Sequence, residues 1–144
     1  MVTANDVAKY FLSIANEDED SGISNLKLQK LVYYAQAFHL AIFEKPFFEE
    51  EIEAWAHGPV CPAVYHEYKQ FGANPITPWS QSNSTPFSQE QIELLDEVNE
   101  VFGQFSAWKL RDMTHEDAPW REKEAAAGII EKQRMMEFYK TRLK

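Results

Sequence analysis

The stretch Leu26-Lys27-Leu28-Gln29-Lys30-Leu31-Val32-Tyr33-Tyr34-Ala35-Gln36 decides the fold. Leu28, Leu31, Val32, Ala35, His39 and Ile42 recur at the three- and four-residue spacing of one helical face. Leu26, Tyr33, Tyr34, Ala37, Phe38 and Ala41 cover much of the opposite side. A helix apolar around so much of its circumference packs on several sides at once, so this one is expected to be the centre of the core. Ser24 or Asn25 supplies its N-cap, and Pro46 its stop.

Working outward, Thr3 and Asp6 form a capping arrangement before Val7, Tyr10, Phe11 and Ile14, which recur at helical spacing. That first helix ends before the polar run Glu17-Asp18-Glu19-Asp20-Ser21-Gly22. Beyond Pro46, Phe47 and Phe48 are followed by Ile52, Ala54 and Ala56 alternating with Glu51, Glu53 and Trp55, the pattern of a short strand or hairpin arm. Gly58-Pro59 breaks it. Proline biases Cys61 away from helix while itself suiting the first helical position, so a helix is expected from 62 to about 71, closing at Gly72.

Residues 74–86 are polar and proline-rich, anchored by Ile76 and Trp79. Ser88 with Gln91 is a capping box opening a helix striped by Leu94, Leu95, Val98, Val101, Phe102 and Phe105. Ser106 caps a short helix through Met113, with Trp108 or Leu110 facing inward. A further helix follows Pro119-Trp120 and breaks at Gly128, and a last one runs from 129 to about 142. The expected architecture is mainly α: one compact domain over residues 1–144, a helical bundle around a buried central helix, with a small β-hairpin or short sheet.

A chain of 144 residues is one domain by size and buries roughly 70% of its extended surface. The net charge of −9 repels nucleic-acid phosphates and anionic membranes; it reads as a device for solubility or, functionally, as fitting a basic protein partner. The single cysteine, Cys61, excludes an internal disulfide and fits a reducing compartment. The N-terminal residues lack a basic and then apolar leader pattern, and no run approaches the ~18 apolar residues of a membrane span. A cytoplasmic protein is expected.

His39, His57, His66 and His115 neither pair at metal-ligand spacing nor join a cysteine cluster, so no metal or cofactor is expected. Cys61 stands at a helix start, where the dipole favours a thiolate, but an apolar filler is the simpler account. Thr114-His115-Glu116-Asp117 before Ala118-Pro119-Trp120 has the residue types of a hydrolytic site, with His57, His115 and Glu116 or Asp117 as its groups. The same residues are what capping a helix junction needs, with Trp120 buried beneath it. Glu90, Glu93, Glu97 and Glu100 follow one another at three- and four-residue steps without an intervening lysine. Such like-charge spacing costs about 0.2–0.5 kcal/mol per pair; it reads as a solvated face or as a stripe that docks cations of a partner.

Lys132, Arg134, Lys140, Arg142 and Lys144 make the C-terminal helix basic, which its dipole favours, and pairing with an acidic face of a second copy would use the same charges. Lys27 and Lys30 sit at the unfavourable positive end of the second helix. Either the acidic run 17–20 or a bound acidic group compensates them.

Two motifs, the 26–36 helix and Ala54-Trp55-x-His57-Gly58-Pro59-Val60-x-Pro62-x-Val64-Tyr65, together with Thr114-His115 and Pro119-Trp120 downstream, resemble the Panacea domain of SocA-like antitoxins from bacterial and phage toxin–antitoxin systems. The resemblance covers about residues 4–140. It implies a mainly helical domain with a small β element, acting without catalysis as an antitoxin that neutralises a cognate toxin by direct protein contact. Some members hand their toxin to a protease instead, so an adaptor is the alternative and a small hydrolase the remote one. Read from the residues themselves, the motif positions His57, Gly58, Pro59, Pro62, Thr114, His115 and Trp120 are mostly structural, with Gly58-Pro59 and Pro62 setting the strand-to-helix turn. The expected partner-binding residues are Lys27, Lys30, Tyr33, Tyr34, Trp55, Tyr65 and Tyr68, with Glu93, Glu97 and Glu100.

Overall fold

The computed structural model describes residues 2–15, 23–76 and 86–143. Its first helix, α1 (Ala4–Ile14), is capped by Thr3, whose hydroxyl accepts from the Asp6 N–H while the Asp6 carboxylate accepts from the Thr3 N–H. Helix α2 (Asn25–Phe43) starts at Ser24, which caps the Lys27 N–H. It ends two residues earlier than Pro46 demands, at Glu44 in a left-handed conformation. A hairpin follows: β1 (Ile52–Trp55) and β2 (Gly58–Val60). Then come α3 (Pro62–Tyr68), extended by the 3₁₀ turn Lys69–Phe71, and α4 (Gln89–Phe102), with its Ser88/Gln91 capping box. Helices α5 (Ala107–Thr114) and α6 (Ala118–Arg121), the 3₁₀ turn Glu124–Ala126, strand β3 (Ile129–Ile130) and α7 (Lys132–Lys140) complete the chain. The protein is thus mainly α, with one small antiparallel sheet.

Helix α2 is the core, as its all-round apolar pattern requires. It touches α1, α3, α4, α5, α7 and β2, and Leu28, Leu31, Val32, Tyr33, Ala35 and Ala37 are wholly buried. Burying each large apolar side chain there stabilises the fold by about 1.5–3 kcal/mol. The buried polar residues of α2 fasten the surrounding chain by its backbone. Gln36 accepts from the Phe47 N–H at 2.7 Å and donates to the Phe48 carbonyl at 2.9 Å. Gln29 accepts from the Cys61 N–H at 2.9 Å, and His39 Nδ1 donates to the Lys45 carbonyl at 2.8 Å while its Nε2 accepts from Gln91. Segments that would otherwise carry unpaired buried backbone groups are held this way.

Several local expectations change. Gly58-Pro59 does not simply end a strand: it opens β2, with Trp55 opposite Gly58 and Ala54 opposite Pro59. Ile129 and Ile130 are not helical. They pair with Glu53 and Ile52 as a third strand, giving the order β2-β1-β3, and α7 starts only at Lys132. Ile42 and Val101, assigned to apolar stripes, are 47% and 44% exposed, each within the last two residues of its helix. On α5 Leu110 takes the inward position and Trp108 faces out. Ile76 is buried and its N–H reaches the Ile23 carbonyl, whereas Trp79 and the acidic run 17–20 lie outside the described residues.

Candidate interaction site

The hairpin turn and the α5–α6 junction meet over the first turns of α2, and most of the motif residues gather there. Gly58 has φ +110°, and a Cβ at that position would lie 2.6 Å from Lys30 Cε and 2.8 Å from Thr114 Oγ1. Only glycine lets the turn approach so closely in that conformation. Directly beneath, Lys30 is fully buried and its Nζ donates to the Pro59 carbonyl at 3.1 Å. Burial, reinforced by the nearby Arg111 guanidinium, pushes the Lys30 amine down to about 7. Thr114 donates to the Arg111 carbonyl at 2.9 Å and so closes α5.

Beside it, Asp117 begins α6, but its side chain makes no capping hydrogen bond. Instead Oδ2 accepts from Tyr33 at 3.1 Å and from Tyr139 of α7. Burial raises the Asp117 carboxyl above its usual range, against the two hydroxyl donors, and burial also pushes Tyr33 and Tyr139 well up. His115 lies flat on Trp120, with ring centroids 4.1 Å apart and planes at 7°, and burial lowers its basicity first, Arg111 second. Trp120 in turn donates its indole N–H to the Trp55 carbonyl at 2.8 Å. Pro62 opens α3 at the end of the hairpin.

Of the groups weighed as a hydrolytic set, Asp117 accepts from two tyrosines, His57 Nδ1 accepts from Arg111 Nε at 3.1 Å, Glu116 is exposed, and His115 stacks on Trp120 with its Nε2 buried and without a hydrogen-bond partner among the described residues. Cys61 is buried at the start of α3, and burial pushes its thiol up to about 11, away from nucleophilic use at neutral pH. Among the described residues no group of three or more His, Cys, Asp or Glu side chains could hold a metal ion. No helix among them is long and apolar enough to cross a membrane.

The expected partner-binding residues divide by burial. Lys30 and Tyr33 are wholly buried, and Lys27, Tyr34 and Tyr68 are buried with only a few per cent of their surface exposed. Backbone carbonyls accept from both lysines: Lys27 Nζ donates to Gly103 at 2.6 Å and Lys30 Nζ to Pro59. The two tyrosines of α2 instead build an aromatic cluster, with Tyr34 stacked on Phe102 at 3.9 Å and Tyr33 edge-on to Tyr139. Trp55 and Tyr65 are half-buried against each other at 4.9 Å. Glu93, Glu97 and Glu100 are exposed along the outer face of α4, as is Glu90. The basic side chains of α7 are occupied at home, Lys132 with Glu51, Arg134 with Glu122 and Lys140 with Glu44, and just beyond the helix Arg142 lies over the Phe138 ring.

Sequence reasoning did not single out Arg111, Trp108 as a surface ring, or Tyr139. Trp108 and Arg111 stand one helical turn apart, the spacing at which a guanidinium covers an indole, and that signal was available. Tyr139 carried none, because its partner Asp117 lies 22 residues away in sequence.

A family model described as Antitoxin SocA-like, Panacea domain, matches residues 28–121. The chain is 32% identical over 112 residues to Antitoxin SocA of Caulobacter vibrioides (strain NA1000 / CB15N), a match covering 70% of this chain and 60% of that protein. The matched span is thus under two thirds of that relative's length. No solved structure matches.

Proposed function

Because the chain belongs to the SocA-like antitoxin family through its Panacea domain, we propose that it neutralises a cognate toxin by direct protein–protein binding, without catalysis of its own. The observation that carries this reading is the outer face of α4. Glu90, Glu93, Glu97 and Glu100 are all exposed there, and among the described residues none of them forms an ion pair. Each like-charge neighbour costs the isolated helix about 0.2–0.5 kcal/mol. Cations of a basic toxin segment would turn that repulsion into attraction, and the net charge of −9 would speed the encounter. Trp55 and Tyr65, the accessible members of the aromatic set, are a second edge for such contact.

The test is growth of cells expressing the adjacent gene, with and without this chain, together with co-purification. Rescue accompanied by a stable complex is the expected result, and the pair Glu93→Lys with Glu97→Lys should abolish binding while circular dichroism stays unchanged. Rescue in which the toxin disappears would replace sequestration by delivery to a protease. A harmless neighbour, or unaltered affinity in the reversed variant, would remove the docking role of α4.

A further inference from the structure

The two edges of the sheet are finished differently. Ala54 of β1 opposes Pro59 of β2, and proline has no N–H to exchange with it, so the ladder bonds fall at the neighbouring pairs and the Pro59 backbone faces away from β1. The Pro59 carbonyl on that side already accepts from Lys30. That edge is closed. At the other, the Ala54 N–H donates to the Gly128 carbonyl at 2.9 Å, and the register sets Glu53 opposite Ile129. The β1–β3 bonds therefore fall at Gly128 and Ile130, and the N–H and C=O of Ile129 both face away from β1. Among the described residues neither group has a hydrogen-bond partner, and Ile129 is 48% exposed.

Along this edge only Ile129 offers both a donor and an acceptor. The next outward positions are used within the chain: the Ala127 N–H donates to the Glu124 carbonyl at 3.1 Å, and the Glu131 carbonyl accepts from the Met135 N–H at 3.0 Å. An open strand edge pairs with another extended backbone. One donor and one acceptor on a single residue are matched by the same residue across a two-fold axis. We propose that β3 pairs antiparallel with β3 of a second copy of this chain, Ile129 opposite Ile129, each donating its N–H to the other's carbonyl. In that register Gly128 faces the second copy's Ile130 without a side chain to obstruct it, and the two exposed isoleucines cover each other. Charge agrees with it. The Lys123 carbonyl accepts from the Gly128 N–H, and Lys123 Nζ lies 3.5 Å from Glu131. Glu131 then stands opposite the second copy's Ala127, on the side where that copy's Lys123 lies. The net charge of −9 on each copy opposes association at long range, so the expected dimer is weak and concentration-dependent. None of this draws on the antitoxin reading.

Analytical ultracentrifugation of the full chain from about 10 µM to about 1 mM tests this, the span in which so small a contact would associate. The wild type should pass from monomer to dimer and stop there, because a two-fold pairing closes on itself. Over the same range the Ile129 amide should become protected from hydrogen exchange. Ile129→Pro deletes the outward N–H without touching a β1–β3 bond, so it should keep its melting temperature at the lowest concentration and stay monomeric throughout. Ile129→Lys sets like charges opposite each other and should weaken the dimer by about tenfold or more; it decides the matter if the proline variant does not fold. A wild type that is monomeric across the range, a dimer that survives these substitutions, or assembly beyond two copies overturns the proposal. A monomeric wild type whose affinity for the adjacent-gene product falls in Ile129→Pro overturns it as well, and gives the edge to that product instead.

Discussion

Replacing Lys30 by methionine should stabilise the protein, and more so at pH 7 than at pH 8.5. The wholly buried amine stands at about 7 in the fold, against 10.5 for an ordinary lysine. Between those values the unfolded chain binds a proton that the folded chain releases, so stability rises with pH across this window. Below pH 7 both states are protonated and the full penalty applies, about 5 kcal/mol for a shift of this size. At pH 7 nearly all of that penalty is present; at pH 8.5 about 3 kcal/mol remains. The wild type should therefore gain roughly 1.5–2 kcal/mol between the two.

Methionine fills a similar volume without a charge, but it leaves the Pro59 carbonyl without its lysine donor, a loss of about 1–3 kcal/mol. The net expectation at pH 7 is a gain of about 2–3 kcal/mol, with the pH dependence over this range largely erased. Urea unfolding followed by circular dichroism at the two pH values reads both quantities. Burial lowers His39 and His115, and Cys61, raised to about 11 in the fold from an ordinary 9.0, adds a small slope of opposite sign as the unfolded thiol begins to ionise, a contribution common to wild type and variant. Equal pH slopes in wild type and Lys30→Met, or a destabilised variant, would refute the account of Lys30 as a buried amine that loses its proton near pH 7.

Gly58→Ala should cost about 2–4 kcal/mol, since its Cβ would meet Lys30 Cε at 2.6 Å from a backbone at φ +110°; a melting temperature unchanged by the substitution would contradict this. Asp117→Ala strands the hydroxyls of Tyr33 and Tyr139 and should destabilise by about 2–4 kcal/mol. Asp117→Asn, which keeps an acceptor and removes the buried charge, should be much milder, and equal losses by denaturant titration would argue against hydrogen bonding as the role of Asp117. Cys61 should resist a disulfide reagent at pH 8 in the native protein and react fully in urea, because burial both shields the thiol and pushes its pKa to about 11. Rapid native labelling would show that α3 opens at its start.

What the amino-acid sequence determined by itself was local. The 26–43 periodicity placed one helix at the centre, the Thr3, Ser24, Ser88 and Ser106 caps marked four helix starts, and Pro62 marked a fifth. Each of these signals lies within a few residues of what it governs, through helical spacing or a side chain reaching a nearby N–H. The gathering of His57, Gly58, Thr114, His115 and Trp120 was visible only as separate motifs, read from their residues as mostly structural.

The tertiary structure decided which distant groups complete each other. Lys27 and Lys30 are the same kind of residue on the same helix, and in the fold each reaches a backbone carbonyl from a distant segment, Gly103 and Pro59. Asp117 finds Tyr33 at a separation of 84 residues, and Ile129 and Ile130 become strand because the open edge of β1 lies beside them. Trp108 and Leu110 were equivalent candidates for the core until α2 and β2 fixed which side of α5 was covered. Burial and pairing depend on surfaces assembled from separate segments, so a side chain's spacing along its own helix cannot name its partner across the fold.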